Sequence, residues 1–180
     1  MKIYIALFRG INVGGKNMLP MKELVAILED LGSRNIKSYI QSGNAVFASL
    51  KTDASQLSKK IGVEIKLRRG FEPHVLLLEF DDIESVIRKN PFPEAETDGK
   101  ALHVGFLAST PTNPDLKALE SLKSDSERFR LIDNVFYLHA PEGVGRSKLA
   151  ARAEKLLGVP MTDRNWRTVC KIREMAQALI

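Results

Sequence analysis

The sequence predicts an α+β protein: a tandem pair of ferredoxin-like βαββαβ units with antiparallel sheets and an extra helix after each. Three observations carry this reading. Hydrophobic patterning in the first half runs strand, helix, strand, strand, helix, strand. The second half repeats the order. No long low-complexity linker intervenes, and "NPFPEAETDGK" is the natural break, giving units at residues 1–93 and 94–180.

The elements follow in order. "KIYIALF" alternates and is rich in β-formers, a strand over residues 2–8. After a glycine-rich stretch, Pro20 opens a helix whose Leu24, Ile27, Leu28 and Leu31 form one apolar stripe and which Gly32 ends. "NIKSYI" and "AVFASL" are strands joined through the short connection "QSGN". The next segment has both periodicities: Leu57, Ile61 and Ile65 are spaced as in a helix, while Val63, Ile65 and Leu67 alternate as in a strand. The expected element is a helix from about Asp53 to Arg69, capped by Gly70, with Gly62 counting against it. "HVLLLEF" is a buried strand, and Asp81 with Glu84 makes a capping-box pattern for the helix that ends before Pro91. In the second half "ALHVGFLAS" is a strand and "NPDLKALESLK" a helix with Leu116, Leu119 and Leu122 on one side. "RFRLI" and "VFYLHA" are strands joined at Asp133-Asn134, and "RSKLAARAEKLLG" is a helix. "VPMT" is a short last strand, and a final helix spans about Arg164 to Leu179.

Composition narrows the function classes. Hydrophobic residues make up 44% and charged residues 27%, as in ordinary globular proteins. No apolar run approaches the roughly 20 residues of a membrane span, and Arg9 ends the first apolar run too early for a secretory signal. The single cysteine, Cys170, excludes an internal disulfide and fits a reducing cytoplasm. The net charge of +5 is local: residues 145–173 hold eight basic and two acidic residues, or +6, leaving 19 basic and 20 acidic residues elsewhere. Such a field points to an anionic partner, either a small molecule or nucleic acid. A solvated helical face is the structural alternative.

Taken together, "ALFRGINVGG...MLPMKELVAILEDLG", "YIQSGNAVF", "NPFP", "GRSKL" and "TDRNWRTVCKI" resemble the bacterial family called domain of unknown function 1697. The resemblance runs from Lys2 to about Met175, and its most specific parts are RGINVGG, YIQSGN and RNW-x-TV. It implies the tandem α+β fold. It brings no activity, cofactor or catalytic residue.

"FRGINVGGKNMLP" spells a phosphate-binding P-loop up to Asn17, which stands where the magnesium-binding Ser or Thr belongs. The following helix should begin at Gly15-Lys16, but Pro20 places its start later. The acid-tipped strand "LLLEFD" looks like the partner motif. In a βαββαβ sheet, however, it runs antiparallel to the first strand, which puts Glu79 and Asp81 at the end opposite Lys16. The stretch is therefore a glycine turn.

The same topology gathers two candidate ligand clusters. The turn after the first strand and the "QSGN" hairpin share one end of the sheet, bringing Arg9, Asn12, Gln41, Ser42 and Asn44 together, with Lys16 the least secure addition. Alternatively, Asn12 and Asn44 hold turn backbones. In the second unit, Arg146, Ser147 and Lys148 open a helix, where basic charge opposes the helix dipole by about a few tenths of a kcal/mol unless an anion binds there. Thr162 or Asp163 caps the last helix, Arg164, Arg167 and Lys171 share one face of it, and Trp166, Val169 and Cys170 face inward. Arg146, Ser147, Lys148, Arg164, Asn165 and Arg167 then form one neighbourhood, or an exposed basic face beside a core Trp. His74, His103 and His139 are scattered, and no spacing makes a metal site.

The expected function is binding of a phosphate-bearing or other anionic ligand. A nucleic-acid module is the second reading, with Tyr4, Phe8, Tyr39, Phe47 and Phe106 as strand aromatics. An enzyme acting on a phosphorylated small molecule is the third. No acid, base, nucleophile or cofactor is identified, and oligomeric state stays open.

Overall fold

β1 (Lys2–Arg9) is the strand around which the first sheet assembles in the computed structural model, which describes residues 1–180. α1 (Met21–Asp30), β2 (Arg34–Tyr39), β3 (Asn44–Ser49), α2 (Ala54–Arg69) and β4 (His74–Glu79) follow. β1 pairs antiparallel with both β3 and β4, giving the order β2-β3-β1-β4. After α3 (Phe80–Arg88), the pattern returns as β5 (Leu102–Leu107), α4 (Leu116–Leu122), β6 (Arg128–Ile132), β7 (Val135–His139), α5 (Lys148–Leu157) and β8 (Met161–Asn165). Its order, β6-β7-β5-β8, is the same, again all antiparallel. α6 (Trp166–Gln177) ends the chain. The architecture is the predicted tandem pair of ferredoxin-like units. By internal packing the chain divides into Met1–Ser85 with Lys171–Ile180, and Val86–Cys170.

The patterning explains why these segments form these elements. Side chains alternate across a strand, so Tyr4, Ala6 and Phe8 point to one face of β1 and Ile5 and Leu7 to the other. All five are fully buried, as an inner strand with both edges paired requires. Tyr4, Ala6 and Phe8 join Ala45 and Phe47 of β3, the Leu24–Ile27–Leu28 stripe of α1, and Leu57, Ile61 and Ile65 of α2 in one core. The ambiguous segment is therefore a helix: its 3.6-residue stripe is buried while Val63 and Leu67 are exposed. Asp53 caps it by accepting from the Gln56 N–H at 2.9 Å. In the second unit Leu107, Phe136 and Leu138 pack with Leu119 of α4 and Leu149, Ala153 and Leu157 of α5. On the opposite sheet face the buried Tyr137 hydroxyl donates to the Val86 carbonyl at 2.8 Å.

Three expectations are corrected. α3 begins at Phe80, one residue early, so the third helical position is Asp82. Its carboxylate, not that of Asp81, accepts from the Glu79 N–H at 2.8 Å. Glu84 instead pairs with Arg173. β8 runs on through Arg164 to Asn165 because pairing with β5 continues to His103↔Asn165, so α6 starts at Trp166 rather than Arg164. Cys170 is exposed rather than turned inward.

One turn in the first unit depends on its glycine. Gly43, in the β2–β3 hairpin, has φ +84°, and its carbonyl accepts from the Phe8 N–H at 2.9 Å. A Cβ there would lie 2.7 Å from both Phe8 Cβ and Ile11 Cδ1. Gly43→Ala combines a disfavoured φ with overpacking and is expected to cost roughly 2–4 kcal/mol. Urea unfolding checks this. A loss under 1 kcal/mol would show that the hairpin relaxes around the methyl group.

Candidate functional site

The glycine turn after β1 is built from its own asparagines. Asn12 and Asn17 adopt positive φ (55° and 51°), and Val13 and Lys16 form a bridge inside the loop. α1 begins only at Met21, so Gly15-Lys16 does not open a helix. β4 runs antiparallel to β1 with Tyr4 opposite Glu79, and Glu79 pairs with Lys2 at the far end of the strand. The elements of a P-loop are thus apart, as the strand order requires.

The predicted cluster at this sheet end does assemble, but much of it is committed to the backbone. Asn12 Nδ2 donates to the carbonyls of Leu19 and Gln41, both at 2.8 Å, and its Oδ1 accepts from the Leu19 N–H at 2.7 Å. Three of its four amide positions thus tie the glycine loop to the β2–β3 hairpin. Asn44, fully buried, donates to the Tyr39 carbonyl at 3.1 Å and more weakly to Ser42 Oγ at 3.5 Å. Of the predicted residues here, Arg9 and Gln41 are exposed, and Ser42 is half-buried.

The second cluster separates into three places. Arg146, Ser147 and Lys148 lie together at the start of α5. Ser147 is its cap, accepting from the Ala150 N–H at 2.9 Å. Arg146 and Lys148, both exposed, line a cavity of about 430 Å³ with Lys123 across it. The same walls carry Glu127, which accepts from the Ser124 N–H, and Glu142, which accepts from the Ser126 hydroxyl. Lys123 pairs with Glu120, whereas Arg146 and Lys148 make no ion pair. Arg164 lies elsewhere. Strand alternation puts it with buried Thr162 on the sheet face opposite Met161 and Asp163. Burial pushes its guanidinium down to about 10, against the opposing pull of Asp163. It therefore shares no helical face with Arg167 and Lys171. Asn165, not Thr162 or Asp163, caps α6 by accepting from the Thr168 N–H at 2.9 Å. Arg167 is exposed, and its backbone N–H donates to the Gly99 carbonyl at 3.1 Å.

Sequence reasoning set His103 aside, yet this buried side chain has a polar partner at each ring nitrogen. Its Nδ1 is 2.7 Å from Asp163 Oδ2 and its Nε2 is 3.0 Å from the Lys100 carbonyl. Both ring nitrogens thus face acceptors, which requires a proton on each. Burial works against the charged ring, but the hydrogen bond and charge of Asp163, with the Lys100 carbonyl, outweigh it and raise the pKa above the ordinary 6.5. The partners are 60 residues apart, and only the β5–β8 register brings them together.

The aromatic residues proposed as a stacking platform are interior. Tyr4, Phe8 and Phe47 are fully buried in the first core, Phe106 is 2% exposed, and Tyr39 is half-buried. No group of three His, Cys, Asp or Glu side chains is arranged to hold a metal ion, and no helix is long and apolar enough to cross a membrane.

Two antiparallel sheets with interleaved helices, each polar cluster held at a sheet end, define an α+β protein of paired ferredoxin-like units. The chain belongs to the family described as "Protein of unknown function (DUF1697)", whose model matches residues 1–137. Among solved structures it is similar to the conserved bacterial protein SP0830 from Streptococcus pneumoniae. The two are 29% identical with a TM-score of 0.72, and the match covers 97% of this chain and 98% of that one. Comparison with the curated proteins gives no match.

Two predictions follow from this geometry. Asn12→Ala strands the Leu19 N–H and two carbonyls, and is expected to destabilise the chain by about 2–3 kcal/mol in urea unfolding. Unchanged stability would return Asn12 to the ligand-binding candidates. For His103, the folded pKa is raised, so its stabilising contribution is complete below pH 6.5 and is lost as pH rises through the folded value. Unfolding free energy should therefore fall as pH rises above 6.5 in the wild type and flatten in Asp163→Asn. Equal slopes in the two proteins would contradict the imidazolium assignment.

Proposed function

We propose that this protein binds a phosphate-bearing or similarly anionic small molecule at the start of α5, in the cavity walled by Arg146, Lys148 and Lys123. The observation that carries this reading is the unpaired state of Arg146 and Lys148 in that cavity, beside a helix N-terminus with no acidic residue in its first turn. The first backbone N–H groups of a helix lack carbonyl partners within it, and the dipole there favours negative charge. Two cations at that position repel the dipole until an anion sits between them. The 430 Å³ volume suits a small ligand. Glu127 and Glu142 leave the cavity with a net charge of only about +1, which favours a ligand carrying both an anionic group and hydrogen-bond donors.

Within the first cluster, the roles of Asn12 and Asn44 in the backbone move weight to the second unit. The burial of the strand aromatics removes the support for base stacking, so the small anion is preferred over nucleic acid.

A thermal-shift series with inorganic phosphate, polyphosphate, nucleotides and sugar phosphates tests the proposal. At least one class should raise Tm in a concentration-dependent way. Arg146→Ala and Lys148→Ala should each weaken that ligand by about tenfold, the effect of one charge-assisted hydrogen bond. Stabilisation that survives in the double variant would place the site elsewhere, and none from any class would end the small-anion reading.

A further inference from the structure

A second cavity in the same unit has different chemistry. It holds about 270 Å³ between α5 and the sheet. Phe136, Leu138 and Met161 form its sheet side, and Ala150, Ala151 and Ala153 its helix side. The small alanines hold the helix wall back. Gly105, directly opposite Asp163 in the β5–β8 register, contributes similarly: a Cβ there would lie 2.3 Å from Met161 Sδ, so its absence lets Met161 lie over the strand.

The polar lining is sparse. Ser147 Oγ accepts from the Ala150 N–H. Asp163 also lines the cavity, and its side chain is 46% exposed. Oδ2 faces the His103 ring, while Oδ1 has no protein donor. A carboxylate oxygen accepts hydrogen bonds and never donates them. Besides the Ser147 hydroxyl hydrogen, the open polar position on these walls is this carboxylate oxygen, which takes a donor, against an otherwise apolar surface.

We infer that this cavity is a binding site for a small apolar molecule, about the size of one aromatic ring with a short chain, that carries a hydrogen-bond donor such as an amine. The apolar body lies against Phe136, Leu138, Met161 and the alanines, and the donor meets Asp163 Oδ1. The His103 ring, 2.7 Å from Oδ2, fixes the carboxylate from behind. An anionic ligand meets a carboxylate here and is rejected, so this site and the basic cavity take different chemistry.

The test uses three size-matched probes on the full chain, followed by NMR chemical shifts. 2-Phenylethylamine supplies the donor, ethylbenzene none, and phenylacetate only acceptors. The amine should shift the resonances of Phe136, Leu138, Ala150 and Met161 saturably, with a Kd on the order of 1 mM for a ligand of this size. Ethylbenzene should bind about tenfold more weakly, and phenylacetate should not bind. Asp163→Asn should bring the amine close to ethylbenzene. Ala150→Leu should fill the cavity and abolish all shifts, with Ala151→Leu, at an exposed helical position, as the variant that keeps the test open if the first does not fold. No saturable shift at these residues, phenylacetate binding as well as the amine, or shifts unaffected by the filling variants would each overturn the inference.

Discussion

Both units depend on one inner strand paired on both edges. β1 and β5 each hydrogen-bond to two antiparallel neighbours. A strand in that position has no edge to solvate and favours apolar side chains on both faces, as Tyr4 to Phe8 supply in β1 and Leu102, Val104, Phe106 and Leu107 supply in β5. Once it is placed, the rest is constrained. Its two neighbours run antiparallel to it and thus parallel to each other, so their connection must cross over through a helix. The loop that leaves the first neighbour and the end of the second fall at the same sheet end.

That constraint creates the polar regions. In the first unit it brings the glycine turn against the β2–β3 hairpin, where Asn12 bonds across the gap to the Gln41 carbonyl. The loop is shaped by side-chain amides acting as surrogate backbone, which lets a non-repetitive turn cover the sheet end without orphaned polar groups. In the second unit the opposite sheet end, where β7 and β8 finish beside the start of β5, holds the 143–147 turn, the start of α5 and the His103–Asp163 pair. Ser147 serves both sides of that turn, capping the helix while lining both cavities. A backbone fixed in this way holds Arg146 and Lys148 close together, and their repulsion is supported by the packing of Leu149, Ala153 and Leu157 behind them.

The two cavities divide the chemistry by wall composition. One has long cationic side chains near carboxylates and is suited to a charged, hydrogen-bonding ligand. The other has alanines, Met161 and a single carboxylate and is suited to an apolar body with a donor. Asp163 shows how a residue on an exposed strand position comes to line a cavity. Pairing with His103 restrains one oxygen, while the side chain stays 46% exposed on the cavity wall.

The sequence by itself determined the element order and the fold class, because these rest on local quantities: period, turn residues and helix-stop glycines. The stripe of Leu57, Ile61 and Ile65 decided α2, and Asp53 and Gly70 bounded it as their chemistry requires. The gathering of Asn12 with Gln41 was also legible, since strand order alone places both loops at one end. The tertiary structure decided the rest. Whether Asn12 holds backbone or ligand depends on the positions of two carbonyls, one of them 29 residues away. Whether Arg164 opens a helix or continues a strand depends on β5 pairing one residue past it. The register that joins His103 to Asp163 leaves no local trace, because each side chain's neighbours in sequence say nothing about a strand 60 residues away.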